Sequence, residues 1–191
     1  MQILNKGRYT VRCADGAEDM AAALQLRSHC FGTAGGVADA FDTVCTQILV
    51  IEDRSQSAVA TFRLALLDGM SIHDCYAAQY YDLSALDAFK GPMLEVGRFC
   101  IHPDQQDPDI LRAAWAALTA YVDDAGVEML FGCSSFAGTD VGPYLDAFSL
   151  LQARHLSPVQ WAPRVKAQDV YAFEAVANAK LDLKRANAAL P

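Results

Sequence analysis

The sequence lacks the features that identify several large classes of protein. No apolar run approaches the roughly 20 residues needed to cross a bilayer. The amino-terminal stretch MQILNKGRYTVRC lacks the apolar segment of a signal peptide. Neither a Gly-rich phosphate loop nor a G-x-S-x-G motif is present. The first two absences predict a soluble, cytoplasmic protein. The third means that no motif indicates a nucleotide-binding loop or a serine hydrolase.

Metal-binding and disulfide patterns are also missing, and basic charge is scarce. The six cysteines are far apart with no C-x-x-C pair, and the four histidines show no ligand spacing. We therefore predict no metal site and no disulfides, and expect free, buried thiols. The net charge of -8 argues against nucleic acid as a partner, because phosphate contacts need a basic surface. An acidic protein partner would need a local basic patch.

The 191 residues form one predicted domain, since no linker or internal repeat interrupts them. The predicted elements follow the order β–α–β–β–β–α–β–α, which fits a mixed α/β domain with a largely antiparallel sheet flanked by helices. Two segments lack periodicity: TAGGVADAFD reads as a loop, and residues 70–91 read as a connection with at most a pair of helical turns. The predicted strands and helices are a strand at 9–14, a helix from Asp15 or Asp19 to about Phe31, a hairpin closed by RSQS, a strand at 93–101, a helix at 109–124, a buried strand MLFGCSSF, a helix from about Pro143, and an exposed helix AFEAVANAKLDLKRANAAL.

The strand in PMLEVGRFCIHPD poses the main chemical question. Glu95 and Arg98 lie among residues typical of a buried strand, where charges cost free energy unless they are paired or used. A structural ion pair and a catalytic carboxylate both remain open. Elsewhere, Cys133-Ser134-Ser135 offers nucleophilic side chains, but no histidine can be placed beside them from the sequence. The other scattered charged candidates are Arg27, Asp39, Asp42 and Arg63.

Seven segments of the chain resemble the acyl-carrier-protein-dependent N-acyltransferases that form lyso-ornithine lipid, within the Gcn5-related N-acetyltransferase superfamily. They cover most of residues 8–150 in the right order. The resemblance implies that superfamily's fold over the whole chain as one domain. The segments are LQLRSHCF, FDTVCTQILVIED, VATFRLAL, YYDLSAL, LEVGRFCIHPD, ILRAAWAALTAYV and LFGCSSFAGTD.

The same residues resemble the shared core of the acyl-homoserine lactone synthases. That core has an Arg and a Phe on the first helix, an Asp-x-x-Asp pair, an Arg on a central strand, and Glu-x-x-Arg on the next strand. The matching positions here are Arg27 and Phe31, Asp39 and Asp42, Arg63, and Glu95 with Arg98. The match favours a catalytic role for Glu95.

The resemblance implies a mechanism without an acyl-enzyme. An acyl thioester on a phosphopantetheine arm enters a cleft between the fourth and fifth predicted strands, and an amine attacks its carbonyl directly. Glu95 is the expected base and Arg98 its catalytic partner, while backbone N–H groups of that strand steady the oxyanion. Asp39, Asp42 and Arg63 order the acceptor loop or bind the charged ends of the acceptor. The expected substrate-binding residues are Arg27, Phe31, Asp39, Asp42, Arg63, Phe99, Cys133 and Ser134.

The turn after the Glu95 strand reads HPDQQDPDIL, with no glycine and three aspartates. Acidic residues at a helix N-terminus oppose a bound phosphate, so coenzyme A is disfavoured and acyl carrier protein is the expected donor. The acceptor is an amino acid, with ornithine first. Transient contact with the inner membrane is compatible with an amphiphilic product. The cations that could dock the carrier are Arg112, Arg154, Arg164 and Lys166, or Lys180, Lys184 and Arg185.

The carboxyl-terminal part departs from the family. Its members continue past a Leu-Pro into the closing strands of the sheet, whereas this sequence ends at AALP. We therefore expect the last strands to be absent, which would leave an exposed sheet edge and an incomplete acceptor site. An autoinducer synthase is the alternative enzyme, although AGGVADAF has no tryptophan where that family usually has one. A degenerate domain that only binds the carrier is the alternative without catalysis.

Overall fold

The strongest strand patterns of the sequence form one six-stranded sheet. Its neighbours are antiparallel except for the last two strands, which are parallel. This confirms the predicted mixed, mostly antiparallel sheet and adds an amino-terminal strand that the sequence did not suggest. The strands are β1 (Gln2–Lys6), β2 (Tyr9–Cys13), β3 (Thr46–Glu52), β4 (Ser57–Leu67), β6 (Met93–Ile101) and β7 (Met129–Phe131), in the order β1-β2-β3-β4-β6-β7.

The computed structural model describes residues 2–36, 38–172 and 182–190. The chain forms two compact units. The first comprises residues 1–71 and 90–132 and holds the sheet. The second comprises residues 72–89 and 133–191. No helix among the described residues is both long and apolar enough to cross a membrane.

Two helices cover opposite faces of the sheet in the first unit. They are α1 (Gly16–Gly36) and α2 (Pro108–Ala125). Alternate residues of β3 separate the two faces, because Leu49 packs with Ala23 of α1 while Ile48 and Val50 join the core under α2. The α2 side holds the larger apolar core, so polar groups in the sheet concentrate on the α1 side.

The ends of these helices follow local signals. Asp107 caps α2, and Gly126 ends it in the left-handed conformation with a φ of 63°. Helix α1 does not stop at Phe31 but continues through a kink at Gly32, whose φ is 76°. The prediction that TAGGVADAFD is a loop was therefore wrong for its helical parts, which are the end of α1 and a 3₁₀-helix at Ala40–Thr43.

Strand β6 carries a β-bulge beside its centre. Along the ladder with β4, Arg63 pairs with Gly97 and Thr61 pairs with Cys100, so β6 uses one more residue than its neighbour. Arg98 lies in this bulge with a φ of 53°, a conformation that few residues other than glycine adopt. The extra residue changes which face the following side chains occupy.

The second unit contains the short ribbon β5 (Tyr81–Asp82) with β8 (Arg164–Val165), and the helices α3 (Leu145–Arg154) and α4 (Leu183–Ala189). Partly exposed aromatic rings pack together in this unit, with Phe148 edge-on to Phe136 at 5.1 Å between ring centroids and tilted against Tyr171 at 5.8 Å. Asp146 of α3 accepts from the Asp182 backbone N–H just before α4.

Several predictions for these segments need correction. MLFGCSSF is not a buried strand, because only Met129–Phe131 are extended and Leu130 is 43% exposed. Residues 70–91 contain three short 3₁₀-helices and β5, more than the predicted pair of turns. Only Cys75 and Cys100 among the six cysteines are buried. In the predicted last helix, residues 183–189 are helical with Ala186 buried, and residues 173–181 lie outside the described residues.

Candidate active site

Five charged residues from four separate segments meet on the α1 side of the sheet. Arg27 comes from α1, Arg63 from β4 and Arg98 from the β6 bulge, while Asp42 comes from the 3₁₀-helix and Asp39 is its N-cap. We call these five residues the Arg–Asp cluster. Its ion pairs join Arg27 Nη1 to Asp42 Oδ1 at 2.6 Å, Arg63 Nη1 to Asp39 Oδ1 at 2.6 Å and to Asp42 Oδ1 at 2.9 Å, and Arg98 Nη2 to Asp39 Oδ2 at 3.1 Å.

The cluster is largely removed from water. Arg27 is fully buried and Arg63 is 2% exposed. Burial alone would raise the pKa of Asp39, but hydrogen bonds from Arg63 and Arg98 outweigh it, so the pKa lies below its ordinary value. The same balance lowers the pKa of Asp42, where the Asp39 backbone N–H and Arg27 overcome burial. Both aspartates therefore stay ionised at neutral pH.

Local sequence explains why the two aspartates are fixed. Asp39 precedes the 3₁₀-helix and accepts from the Phe41 N–H at 3.0 Å, while Asp42 reaches back to the Asp39 N–H at 2.9 Å. This reciprocal capping holds both carboxylates in place before any arginine binds them. Phe41, between them, lies under the Arg63 guanidinium at 5.3 Å from its ring centroid.

Glu95 lies on the same face of the sheet as the cluster. Its neighbour Leu94 belongs to the core under α2, so the alternation of β6 directs Glu95 toward the α1 side. Glu95 is 4% exposed, and its charge acts on the nearby Cys45 thiol. Burial raises the pKa of Cys45; Arg63 opposes this, whereas Glu95 and the two aspartates add to it. Cys45 is therefore held as a neutral thiol.

The bulge is what brings Arg98 to Glu95's face. In a regular strand two residues three positions apart point to opposite faces. Arg98 nevertheless contacts Asp39, which also binds Arg63, a residue on the α1 side. The Glu-x-x-Arg spacing thus yields a shared face only because β6 contains one extra residue.

Of the predicted site residues, the structure brings together Arg27, Asp39, Asp42, Arg63, Glu95 and Arg98. Phe31 lies on α1 one turn after Arg27 and is partly buried. Phe99 lies on the opposite face, stacked on Phe62 at 5.3 Å in the core under α2. Cys133 and Ser134 belong to the second unit, whereas the Arg–Asp cluster lies wholly within the first.

Three residues of this site were missed in the sequence. Phe41 lies between the paired aspartates, and Gly97 lies between Glu95 and Arg98. Their places inside these two motifs are the signals that mark them as candidates. A Cβ atom at Gly97 would lie 3.3 Å from Arg63 Nε, which shows that the guanidinium stem packs on this glycine. Cys45 had no such signal, because it comes near Glu95 only through the pairing of β3 with β4 and of β4 with β6.

Among the residues that the structure describes, no strand pairs with β6 on its β7 side beyond Glu95. Pairing with β7 covers only Met93 to Glu95, whereas β6 continues to Ile101. Gly132, which directly follows β7, still lies against β6, since a Cβ atom there would clash with the Val96 carbonyl oxygen. The open segment of β6, residues 96–101, therefore begins immediately after the buried carboxylate.

The helix that follows this open segment offers little to a phosphate. Pro108 has no N–H, the Asp109 N–H donates to Asp107 Oδ1 at 3.0 Å, and the Ile110 N–H bonds the Asp107 carbonyl at 3.2 Å. The other Asp107 oxygen is held by Arg8 and by the Tyr9 hydroxyl, and the Arg8 hydrogen bond lowers the pKa of that carboxyl well below its usual range. The first-turn amides are engaged beside a permanent negative charge.

Within residues 2–36, 38–172 and 182–190, no group of three or more histidine, cysteine and acidic side chains could hold a metal ion. The site consists of the buried Glu95 carboxylate, an Arg–Asp cluster whose four carboxylate oxygens all accept hydrogen bonds, and a strand edge that β7 does not cover. Such an arrangement can accept a proton and receive an extended ligand.

Comparisons with known proteins identify the family of the chain. Residues 8–116 match the family described as Acetyltransferase (GNAT) domain. An L-ornithine N(alpha)-acyltransferase of Rhodobacter capsulatus is 33% identical, over 96% of this chain and 77% of that protein. The Brucella abortus protein of the same name is 26% identical, over 90% and 70%.

Among solved structures, FeeM, an N-acyl amino acid synthase from uncultured soil microbes, is similar with a TM-score of 0.49 and 15% identity, over 64% of this chain and 69% of FeeM. The family match spans more than half of the chain, and the Rhodobacter protein is related over nearly all of it. The chain is therefore an N-acyltransferase that belongs to the GNAT acetyltransferase family and, within it, to the family of the L-ornithine Nα-acyltransferases.

Proposed function

We propose that this N-acyltransferase moves a fatty acyl chain, 3-hydroxylated in the expected donor, from acyl carrier protein to the α-amine of an amino acid, with ornithine as the first candidate. The observation that carries the proposal is the buried Glu95 beside the Arg–Asp cluster, at the point where β6 loses its β7 neighbour. The names of the relatives from Rhodobacter capsulatus and Brucella abortus support ornithine as acceptor.

In the proposed reaction, Glu95 takes a proton from the acceptor's ammonium, directly or through one water. The free amine then attacks the thioester carbonyl and the new C–N bond forms. The C–S bond breaks, and the proton that the nitrogen gives up passes to the leaving sulfur, so that an amide and a thiol are released. Backbone N–H groups of the open segment of β6 are the candidate donors to the oxyanion. No acyl-enzyme forms, which agrees with Cys45 being held as a neutral thiol.

The charge balance of the site supports this order of events. Three guanidinium groups face two aspartates, so the Arg–Asp cluster has an excess positive charge that an ionised Glu95 offsets. When Glu95 accepts the proton, that excess is no longer offset. A net positive environment then favours the negative charge that develops on the thioester oxygen.

The start of α2 favours a carrier-bound donor over coenzyme A. A pyrophosphate placed there would meet engaged amides and the Asp107 carboxylate. An acyl group on a carrier protein brings a single phosphodiester, so it depends less on free backbone amides at the start of α2. Two of the cations proposed to dock the carrier already have partners within the protein. Arg112 pairs with Asp109, and Lys166 donates to the Ala78 carbonyl.

A thiol-release assay tests the proposal. The purified chain is supplied with 3-hydroxyacyl carrier protein and single amino acids, and Glu95→Gln is compared with Glu52→Gln, which removes a carboxylate from the far end of β3. We expect ornithine-dependent release that falls about 10²- to 10⁴-fold in Glu95→Gln and persists in Glu52→Gln.

The outcomes separate the alternatives. Release with S-adenosylmethionine and formation of a lactone would identify an autoinducer synthase instead. Equal activity of Glu95→Gln and wild type would remove Glu95 as the base. Absence of release with carrier or coenzyme A thioesters, for every amino acid, would overturn the proposed acyl transfer.

A further inference from the structure

Two thiols meet where the end of α1 lies against β6. Cys30 is in the last regular turn of α1 before the kink at Gly32, and Cys100 follows Arg98 by two residues on β6. Cys100 therefore points to the α1 side of the sheet, as Arg98 does. The Cys30 thiol donates to the Ile101 carbonyl oxygen at 3.2 Å, and the two thiols are hydrogen-bonded to each other. Both cysteines are free thiols in the structure.

This thiol pair borders the Arg–Asp cluster. Arg27, which is fully buried, precedes Cys30 by one turn of α1, and its charge acts on the Cys100 thiol. Arg98 lies two residues before Cys100 on β6. The steps of the proposed acyl transfer use neither thiol. The pair is thus held between the two elements that supply Arg27 and Arg98 to the cluster.

The two thiols differ in their access to solvent. Cys30 is partly exposed, whereas Cys100 is 6% exposed. Burial raises the pKa of both thiols, and the pKa of Cys100 lies far above its usual value because the neighbouring Cys30 adds to the effect of burial. An external reagent therefore reaches Cys30 first, and Cys100 reacts only with a sulfur that is already at Cys30.

We propose that Cys30 and Cys100 form a modification site, at which a low-molecular-weight disulfide oxidises them to a reversible disulfide that links α1 to β6 and lowers acyl transfer. The Cys30 thiolate attacks one sulfur of the reagent, which forms a mixed disulfide and releases one thiol. Cys100, once deprotonated, attacks the Cys30 sulfur, which closes the protein disulfide and releases the second thiol. The protein loses two electrons and two protons, and the reagent takes up both to become two thiols. In a reducing compartment the dithiol is the resting form.

The new bond would act on the site through Arg27. An S–S bond is about 2.05 Å long, much shorter than a hydrogen bond between thiols, so the end of α1 must move toward β6. Oxidation also removes the proton that Cys30 donates to Ile101. The ion pair of Arg27 with Asp42, at 2.6 Å, has little room to adjust because the guanidinium is fully buried. This effect on catalysis rests on the proposed function and its Arg–Asp cluster, whereas formation of the bond does not.

Disulfide mapping tests the bond directly. The purified full chain is incubated with oxidised glutathione, the remaining thiols are blocked with iodoacetamide, and the peptides are identified by mass spectrometry. We expect a peptide linked through Cys30 and Cys100 that dithiothreitol removes. Cys100→Ser should instead retain glutathione on Cys30, because no second thiol displaces it. Cys13→Ala, which removes a partly buried thiol from β2, is the control and should form the linked peptide as wild type does.

Stability and activity are compared in oxidised and reduced wild type, which needs no substitution. The disulfide closes a long loop, so the oxidised form should melt several degrees above the reduced form. Formation of the amide product, measured by mass spectrometry after the oxidant or reductant has been removed, should slow at least about tenfold on oxidation and recover after dithiothreitol treatment. Cys30→Ser keeps a donor for the Ile101 carbonyl and should be insensitive to the oxidant in both measurements.

Three results would overturn the inference. The first is an oxidised wild type in which Cys30 stays free or carries glutathione, with no link to Cys100. The second is a linked form that melts no higher than the reduced form, which would show that the bond does not hold α1 on the sheet. The third is a linked form with unchanged kcat. Failure of the reduced chain to transfer any acyl group would instead contradict the proposed function, and mapping and melting would still decide whether the disulfide forms.

Discussion

Every carboxylate oxygen of Asp39 and Asp42 already accepts a hydrogen bond from the protein. The Asp39 oxygens bind Arg63, Arg98 and the Phe41 N–H, and those of Asp42 bind Arg27, Arg63 and the Asp39 N–H. A substrate ammonium would have to displace one of these strong charge-assisted bonds. Of the two roles that the family resemblance leaves open for these residues, ordering the acceptor loop is therefore favoured over direct binding of the acceptor.

Asp42→Asn should destabilise the protein and change how its stability depends on pH. Removing one partner of a buried ion pair costs about 3–5 kcal/mol. The pKa of Asp42 is lowered in the folded state, so its contribution is present above the unfolded value, about 4, and is lost as pH falls through the lower folded value.

Urea unfolding between neutral pH and pH 3 checks this prediction for wild type, Asp42→Asn and Asp82→Asn, whose carboxyl is an exposed turn cap in the second unit. The difference in free energy of unfolding between wild type and Asp42→Asn should shrink below about pH 4. A difference that is constant across that range would contradict the ionised, paired state of Asp42.

Cys45 should be dispensable for chemistry in spite of its position beside Glu95. Because burial raises its thiol pKa, with the nearby carboxylates adding to the shift, little thiolate exists near pH 7 and alkylation should be slow. Cys45→Ala should keep at least about half of the wild-type kcat, as the role of Cys45 is packing alone. Steady-state rates and timed labelling with iodoacetamide measure both, and a loss of kcat comparable to that of Glu95→Gln would revive a covalent mechanism.

At the scale of elements, the bulge in β6 allows the contribution of the Arg98 side chain to be measured separately from that of its backbone conformation. Arg98→Ala and Arg98→Gly both lose the ion pair to Asp39 and should lower acyl transfer equally. Glycine adopts a positive φ without penalty, so Arg98→Gly should be more stable than Arg98→Ala by about 1 kcal/mol. Chemical denaturation compares the two, and equal stabilities would show that the bulge relaxes when the guanidinium is removed.

The close approach of β6 and β7 at Gly132 gives a second prediction for these elements. A methyl group there would clash with the Val96 carbonyl oxygen, so Gly132→Ala should destabilise the protein by about 1–3 kcal/mol. Gly97→Ala is the control, because its added methyl would meet only the Arg63 side chain at 3.3 Å. Thermal unfolding of both variants checks the difference, and a tolerated Gly132→Ala would mean that the strands separate before this residue.

How far the sequence predicted these elements depends on how local each signal is. The β3–β4 hairpin and α2 were predicted because strand alternation, the polar RSQS turn and amphipathic helical spacing are local features. Strand β7 was predicted to be longer than it is, since the apolar residues of its segment did not show that its pairing with β6 would end at Phe131. The charged residues of the site were identified through a family resemblance, because their pairing depends on strand register and on a bulge that no local pattern marks.

At the scale of the whole molecule, the net charge of -8 makes contact with an acidic carrier protein unfavourable at low salt. We therefore expect kcat/KM for an acyl carrier donor to rise as ionic strength increases from about 0.01 to 0.15 M, where the Debye length falls from about 30 to 8 Å. An acyl pantetheine donor, which is uncharged, is the control and should show no such trend. A kcat/KM that falls with salt would indicate a basic docking patch. It would favour the arginines and lysines suggested by the sequence as the residues that dock the carrier.

The Arg–Asp cluster also has a consequence for how the chain reaches its native state. Its members come from α1, the 3₁₀-helix with its N-cap, β4 and β6, so contacts between residues up to 59 positions apart in the sequence must form before the charges can leave water together. Burying any one of them early would leave an unpaired charge in an apolar surrounding. We expect the apolar sheet to assemble first and the cluster to close in the final step, so that an incompletely folded chain would have a sheet but no enzyme.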